Sequence, residues 1–306
     1  MTVPRFQNAF LRTPRRAFTI VELLVAVSIL TLIVVVLYGL FDQVQKALRS
    51  NVAQADVHEG GRAGKELLSR EMEQIQAANR AGITNLFIRL TARPYQQALL
   101  GANEARTNLL EGITFLTHSN KSWFVTSYKV LAFTNRVSNP FAFEAQFADH
   151  VGTLCRFSGK ISDSDFTRTN LANVMKTLDP VLDPNPNYQW LTNYQRIVDG
   201  VLHFRIRAYD TNGYLMNYLT NSYTNVSMVY DPLNSTPAGS PAAESRYTFV
   251  NSALPAYLDV EMAILEPQAL ERYQSFPNAT VAANYLARQV GAVRLFQQRI
   301  PIRTAK

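Results

Sequence analysis

The sequence has a single cysteine, Cys155, among its 306 residues, so no disulfide bond can form within the chain. A catalytic thiol needs a neighbouring base, and nothing in the sequence pairs Cys155 with one. Histidine is also scarce, and its four copies have no spacing typical of metal ligands: His58, His118, His150 and His203. His203 lies in a predicted strand between two apolar residues and is interpreted as a structural or surface histidine.

The motifs that usually mark an enzyme are missing as well. The chain has no glycine-rich phosphate loop, no Gly-x-Ser-x-Gly elbow and no His-Glu-x-x-His zinc motif. Asp163 and Asp165 are closely spaced oxygen donors, but they lack a full ligand set, so we interpret them as part of a solvated loop. The sequence therefore predicts no enzyme, no metal and no cofactor.

Acidic residues are absent from the first 17 positions, and this explains most of the basic charge. The net charge of the whole chain is +7, with 30 basic and 23 acidic residues. Arg5, Arg12, Arg15 and Arg16 all precede position 18, so the remainder has 26 basic residues against the same 23 acids, a net charge of +3. We therefore expect no nucleic-acid partner.

One long apolar run is present, at residues 18–41. A helix crosses the roughly 30 Å hydrocarbon core of a bilayer with about 20 residues, so this run is long enough to span a membrane. It contains one charge, Glu22. A carboxylate costs about 3 kcal/mol in hydrocarbon, which marks Glu22 either as a functional residue with a cationic partner or as a residue hydrated at the membrane edge.

The residues around Glu22 resemble the prepilin signal of type IV pilins and type II secretion pseudopilins. Basic residues and a small residue precede Phe-Thr-Ile-Val-Glu-Leu-Leu-Val-Ala-Val at residues 18–27. The resemblance implies that a prepilin peptidase cuts between Ala17 and Phe18 at the cytoplasmic face and that Phe18 is N-methylated. Ala17 stands where the family usually has glycine. The resemblance also implies that Glu22 pairs with the N-terminal ammonium of a neighbouring subunit in a fibre.

This reading gives four regions. Residues 1–17 are a leader peptide, and its arginines favour the cytoplasm by the positive-inside rule, which sends the following chain outward. Residues 18–41 are a transmembrane and fibre-core helix. Residues 42–80 continue it, because apolar residues recur there at steps of three and four up to about Ala78. Residues 81–306 form a periplasmic, β-rich globular head.

Glycines interrupt the helical continuation. Gly60, Gly61 and Gly64 each lower helix stability by about 1 kcal/mol relative to alanine, so they predict either a bend or break, or close packing against a sheet. Charges alternate over residues 62–75, which predicts a solvated face with local ion pairs. The next stretch is weakly patterned, with a short strand at Ile88 and Leu90 and a helical turn over Tyr95–Leu100.

Strand patterns dominate the rest of the chain. β-Branched and aromatic residues at 112–118 and 122–133 flank a Ser-Asn-Lys turn and predict a hairpin. Period-two alternation predicts strands at 198–210, before a Thr-Asn-Gly turn, and at 254–265, and residues 290–302 predict a last strand. Segments 158–170, 179–187 and 231–245 are rich in Asn, Pro and Ser and are predicted to be surface loops.

The order of these elements resembles, loosely, the J-type minor pseudopilin of type II secretion systems. The predicted fold is α+β: a long N-terminal helix, transmembrane then amphipathic, packed on an antiparallel β-sheet head, as in pilins. The presence of Glu22 argues against the K-type subunit, which lacks that acid. The implied role is structural, in the tip or priming complex of a periplasmic pseudopilus that supports protein export.

The implied partners are prepilin peptidase, other pseudopilins or pilins of the fibre and an inner-membrane assembly platform. The implied location is the bacterial inner membrane, with a single pass and the head in the periplasm. Two alternatives stay open at this point. One is a minor type IV pilin that acts in pilus assembly, adhesion or DNA uptake, and the other is a periplasmic protein held by a plain signal anchor.

Overall fold

A single helix, α1, spans Ile20–Met72. The computed structural model describes residues 19–92, 94–99, 104–135, 143–148, 150–161, 194–216, 223–228 and 246–303. The chain divides into two units, Met1–Val52 and Ala53–Lys306, and α1 continues from the first into the second. The helix ends short of Ala78 because Gln74 and Ile75 make tight bonds to carbonyls three residues back, and the Gln76 N–H then donates to Leu116 O of the sheet.

The second unit is built on one large, mostly antiparallel sheet. Ten described strands form it, in the order β12-β11-β8-β7-β5-β4-β1-β10-β9 with β6 added beside β5, while β2 and β3 form a separate pair. The strands are β1 (Thr84–Leu90), β2 (Tyr95–Ala98), β3 (Ala105–Asn108), β4 (Glu111–Ser119), β5 (Ser122–Asn135), β6 (Phe143–Phe147), β7 (Gly152–Ile161), β8 (Gln195–Tyr209), β9 (Val226–Met228), β10 (Arg246–Val250), β11 (Tyr257–Leu265) and β12 (Val293–Pro301).

The hairpin that the sequence predicts is β4–β5. Ser119 pairs with Ser122, and Asn120 and Lys121 form the two-residue turn between them, both with positive φ (48° and 62°). Two successive positive φ values are the signature of a type I′ turn, whose twist matches that of the flanking strands. The strands predicted near Ile88 and at 198–210, 254–265 and 290–302 are also confirmed, as β1, β8, β11 and β12.

Two local predictions are wrong. The helical turn expected over Tyr95–Leu100 is strand β2, whose backbone pairs with β3. Contacts with the later helix hold it in place, since Tyr95 Oη donates to Ala283 O (2.7 Å) and the buried Gln97 side chain donates to Leu286 O (3.0 Å). The first residues of the loop expected at 158–170 extend β7 to Ile161, pairing with β5. In both places long-range contacts override local composition. The rest of that loop and the loops at 179–187 and 231–245 lie outside the described residues.

Within the second unit, α1 packs on one face of the sheet through its glycines. The helix is continuous through Gly60, Gly61 and Gly64, so the break is wrong and the close-packing alternative is confirmed. A Cβ at Gly61 would overlap the ring of Phe296, and one at Gly64 would lie 2.7 Å from Val198 Cγ2. Below them Leu68, Met72 and Ile75 are buried in the main core.

The three glycines therefore differ in what a side chain would do. A Cβ added at Gly60 would have no atom within 4 Å, so Gly60→Ala is expected to raise the free energy of unfolding by about 0.5–1 kcal/mol through helix propensity. Gly64→Leu is expected to lower it by about 2 kcal/mol, because the added side chain overpacks against Val198. Urea denaturation of the full chain in detergent measures both changes.

The control for this comparison is the double variant Gly64→Leu with Val198→Ala. It opens room for the new side chain and is expected to recover part of the loss. Equal stability of the Gly60 and Gly64 single variants would contradict the packing described here.

Two short helices, α2 (Pro267–Gln274) and α3 (Ala279–Ala287), connect β11 to β12. Asn278 caps α3, since its side-chain oxygen accepts from the N–H of Thr280 (2.8 Å). Ala269 and Leu286 of these helices share a cluster with Ala263 and Leu265 of β11. These two alternate along β11 with the main-core residues Met262 and Ile264 and therefore lie on the opposite face of the sheet. The helices thus cover part of the second face of the sheet.

Candidate processing and assembly site

Glu22 lies in the first turn of α1 and forms a capping box with Thr19. Glu22 Oε2 accepts from the backbone N–H of Thr19 (3.0 Å) and from Thr19 Oγ1 (3.1 Å), and Thr19 Oγ1 accepts from the N–H of Glu22 (3.3 Å). This arrangement satisfies two N–H groups that the helix itself leaves without partners. Glu22 Oε1 accepts no hydrogen bond within the described part of the chain and is exposed, so a group of another molecule can reach it.

The apolar residues of α1 in the first unit are exposed all around the helix. An 18-residue window has a mean hydropathy of 3.0, and none of it is buried. Ile20 is 80% exposed and even Ile33 is 49% exposed, so no side of this helix is covered. A surface of this kind needs lipid or other apolar helices around it.

Ser28 and Thr31, in the middle of this apolar segment, have partners for their hydroxyl groups in the helix. Ser28 Oγ donates to Leu24 O and Thr31 Oγ1 donates to Val27 O, each at 2.8 Å. Bonds to the carbonyl four residues earlier let Ser and Thr lie in hydrocarbon without an unsatisfied donor. The polar side chains therefore do not conflict with a membrane-spanning role.

Ala17 and Phe18, the predicted processing residues, lie outside the described residues, as does the rest of the leader. The description begins at Thr19, directly after the predicted mature N-terminus. Cleavage and N-methylation therefore remain predictions.

The head contains a buried polar cluster that sequence reasoning missed. Glu71 of α1 accepts from Arg156 of β7 through both carboxylate oxygens (2.9 and 2.8 Å) and from Tyr128 Oη of β5 (2.5 Å). Burial is the main cause that raises the pKa of Tyr128, and the hydrogen bond to Glu71 raises it further. The hydrogen bond to Glu71 is also the main cause that raises the pKa of Arg156. Glu71 was assigned to a solvated face, although its spacing from Leu68 and Ile75 places it on the buried stripe.

The other candidate reactive groups of the head are structural. His203 is buried, its Nδ1 accepts from the Leu109 N–H (3.1 Å) and its Nε2 lies 3.4 Å from Glu261 Oε2. Burial is the main cause that lowers the pKa of His203, so a neutral ring with its proton on Nε2 fits both contacts. Burial also raises the pKa of Cys155 to about 12, which leaves this thiol protonated and unreactive.

No group of three or more His, Cys, Asp or Glu residues arranged to hold a metal ion occurs among the described residues. Asp163 and Asp165 lie outside them.

Comparison with known proteins gives one match. The family described as the prokaryotic N-terminal methylation motif matches residues 12–38, which include Glu22 and the predicted cleavage site. No curated protein and no solved structure matches the chain.

The fold and the motif together define a class. A long apolar N-terminal helix followed by a mostly antiparallel sheet is an α+β layout like that of pilins, and with the motif it indicates a membrane-anchored single-pass protein. Within that class the match supports a type IV pilin-like protein. The motif implies processing by a prepilin peptidase and assembly with other pilins, and its family is structural rather than catalytic.

Proposed function

We propose that this protein is a minor pseudopilin of a type II secretion system, a structural subunit in the tip or priming complex of a periplasmic pseudopilus. The methylation motif at residues 12–38, placed on a helix that leads into a β-rich head, is the observation that carries the proposal. The leader is residues 1–17, the fibre-core helix is residues 18–41, its amphipathic continuation ends at Met72, and the head is residues 81–306. The head lies in the periplasm, and the partners are sibling pseudopilins and the inner-membrane assembly platform.

Glu22 acts in assembly in this proposal. Its carboxylate pairs with the N-terminal ammonium of Phe18 in a neighbouring subunit, so that two charges neutralise each other among packed apolar helices. The capping box supports this role, because it holds the carboxylate at the first turn while Oε1 stays available. Removal of either partner leaves the other charge buried and unpaired, which is costly enough to prevent insertion of the subunit.

The test is complementation of a strain that lacks the gene. The wild-type chain is expected to restore export of folded proteins across the outer membrane, and Glu22→Leu is expected to abolish it. Glu22→Gln keeps the hydrogen bonds of the capping box but removes the charge, and it is expected to fail as well. Thr19→Ala removes the two hydroxyl bonds of the box but keeps the charge and the bond from the backbone N–H of residue 19 to Glu22, and it is expected to restore export. Glu59→Gln changes an exposed acid of the same helix and is also expected to restore export.

Other outcomes select other functions. Loss of surface fibres, twitching or DNA uptake with normal export would instead identify a minor type IV pilin. Full activity of Glu22→Leu would contradict the assembly role and favour a plain signal anchor.

A further inference from the structure

Strand β12 leaves a long edge of the main sheet without a neighbour. All nine residues Val293–Pro301 pair with β11, without a register shift, and no described strand pairs with the other side. The opposite end of the sheet is the three-residue strand β9. Proteins usually protect sheet edges with short strands, bulges, prolines or charged side chains. β12 has a proline only at its last position, and its two charged residues are engaged elsewhere: Arg294 pairs with Glu266 (2.8 Å) and Arg299 lies over the Tyr209 ring. Its edge is therefore suited to accept another strand.

The backbone donors at this edge can be identified. The Glu266 N–H donates to Ala292 O at one end of the β11–β12 ladder, and the Ile302 N–H donates to Ala256 O at the other, both at 2.9 Å. Backbone groups alternate in direction along a regular antiparallel strand, so even-numbered residues of β12 bond to β11. The N–H groups of Leu295, Gln297 and Arg299 consequently point to the open edge.

A groove of about 440 Å³ lies between β12 and α1. Gln298 forms its β12 side, and its amide donates to Ser69 Oγ of the helix (2.9 Å). The helix side is formed by Arg62, Lys65, Glu66, Ser69, Arg70 and Glu73. A strand added to β12 would lie directly beside this polar stripe of α1.

The groove carries an excess of positive charge. Glu73 is paired with Arg303 (2.6 Å), whereas Arg62, Lys65 and Arg70 have no ion pair within the described residues and face one remaining acid, Glu66. β12 itself contains Arg294 and Arg299 and no acidic residue. A second β12 has no acidic residue to pair with the cations of the groove, so a second copy of this chain is a poor occupant.

We propose that the β12 edge and the adjoining groove bind an extended, acidic segment of another protein by strand addition. The outward N–H groups of β12 supply main-chain hydrogen bonds, and Arg62, Lys65 and Arg70 select acidic side chains on the side of the strand that faces the helix. This surface uses none of the residues of the Glu22 site and does not depend on the secretion function.

The experiment measures binding of fluorescein-labelled peptides to the full chain in detergent micelles. The probe is a peptide as long as β12 with alternating Glu and Val residues, and the same peptide with Lys in place of Glu is its charge control. Saturable binding of the Glu peptide below about 1 mM, with at least about tenfold weaker binding of the Lys peptide, is expected. Amide exchange at Leu295, Gln297 and Arg299 is expected to slow in the bound state.

Two pairs of variants locate the site. Leu295→Pro removes one outward N–H and is expected to weaken binding at least about tenfold, whereas Leu295→Ala keeps the N–H and the affinity, since this side chain is 53% exposed. The double variant Lys65→Glu with Arg70→Glu is expected to abolish selectivity for the Glu peptide. Arg272 is an exposed cation of α2, away from the groove, and Arg272→Glu is expected to leave the selectivity unchanged. Unchanged melting temperatures establish that the variants are folded.

Three results would overturn the proposal: no binding of the Glu peptide at about 1 mM, equal affinity for both peptides, or binding by Leu295→Pro at the wild-type level. A dimer of the chain that Leu295→Pro dissociates would also overturn it, because it would identify a second copy as the occupant.

Discussion

Protein purified from cells that contain prepilin peptidase is expected to begin at an N-methylated Phe18, and protein from cells without the peptidase is expected to keep residues 1–17. The reason is the small residue at position 17 directly before the matched apolar segment, at the end of a leader with four arginines. Intact mass and N-terminal sequencing of both preparations measure the effect, which is expected to be complete rather than partial.

Variants at position 17 test the site itself. Ala17→Gly provides the residue usual in this family and is expected to be cut at least as efficiently, whereas Ala17→Leu places a large side chain next to the scissile bond and is expected to stay uncut. Export in the complementation assay is expected to follow cleavage, because only the cut chain has a free ammonium at Phe18 for Glu22. A full-length chain in both strains would make the plain signal anchor the better reading.

Glu71→Ala is expected to lower the free energy of unfolding by about 3 kcal/mol. The substitution leaves the Arg156 guanidinium, which is only 21% exposed, without its counter-charge, and it removes the acceptor of the buried Tyr128 hydroxyl. It also cuts the polar link from α1 to β5 and β7. Urea denaturation of the full chain in detergent measures the change.

The controls separate a buried pair from charge in general. Glu59→Ala removes an exposed acid of the same helix and is expected to change stability by less than about 0.5 kcal/mol. The double variant Glu71→Leu with Arg156→Leu removes both charges together and is expected to recover most of the loss, since no uncompensated charge remains. A loss below about 1 kcal/mol for Glu71→Ala would show that the cluster does not hold the helix to the sheet.

Much of the local structure could be predicted because it depends on short-range physics. The apolar run at residues 18–41 has the length of a bilayer span. The β4–β5 hairpin follows from β-branched runs around a turn that tolerates positive φ. Each of these signals lies within a few residues along the chain.

Predictions were wrong where distant parts of the chain meet. Tyr95–Ala98 is a strand that pairs with β3, and α3, far along the chain, supplies carbonyl acceptors for two of its side chains. The effect of Gly61 and Gly64 depends on Phe296 and Val198, which sequence alone does not place beside them. Glu71 shows a related limit: its spacing places it on the buried stripe of α1, but only the tertiary structure shows that Arg156 and Tyr128 supply the partners for its carboxylate.

The sequence by itself determined the membrane-spanning helix, the methylation motif with Glu22, and the alternation that makes the head a sheet, because these depend on periodicity and on neighbours in the chain. Only the tertiary structure decided which face of α1 packs on the sheet, which charges are buried, and that β12 is the last of the described strands at one end of the sheet, beside a basic groove. The order of the strands brings together residues that are far apart in the chain. Which of them meet depends on the free energy of the whole fold and not on the conformational preference of each short segment.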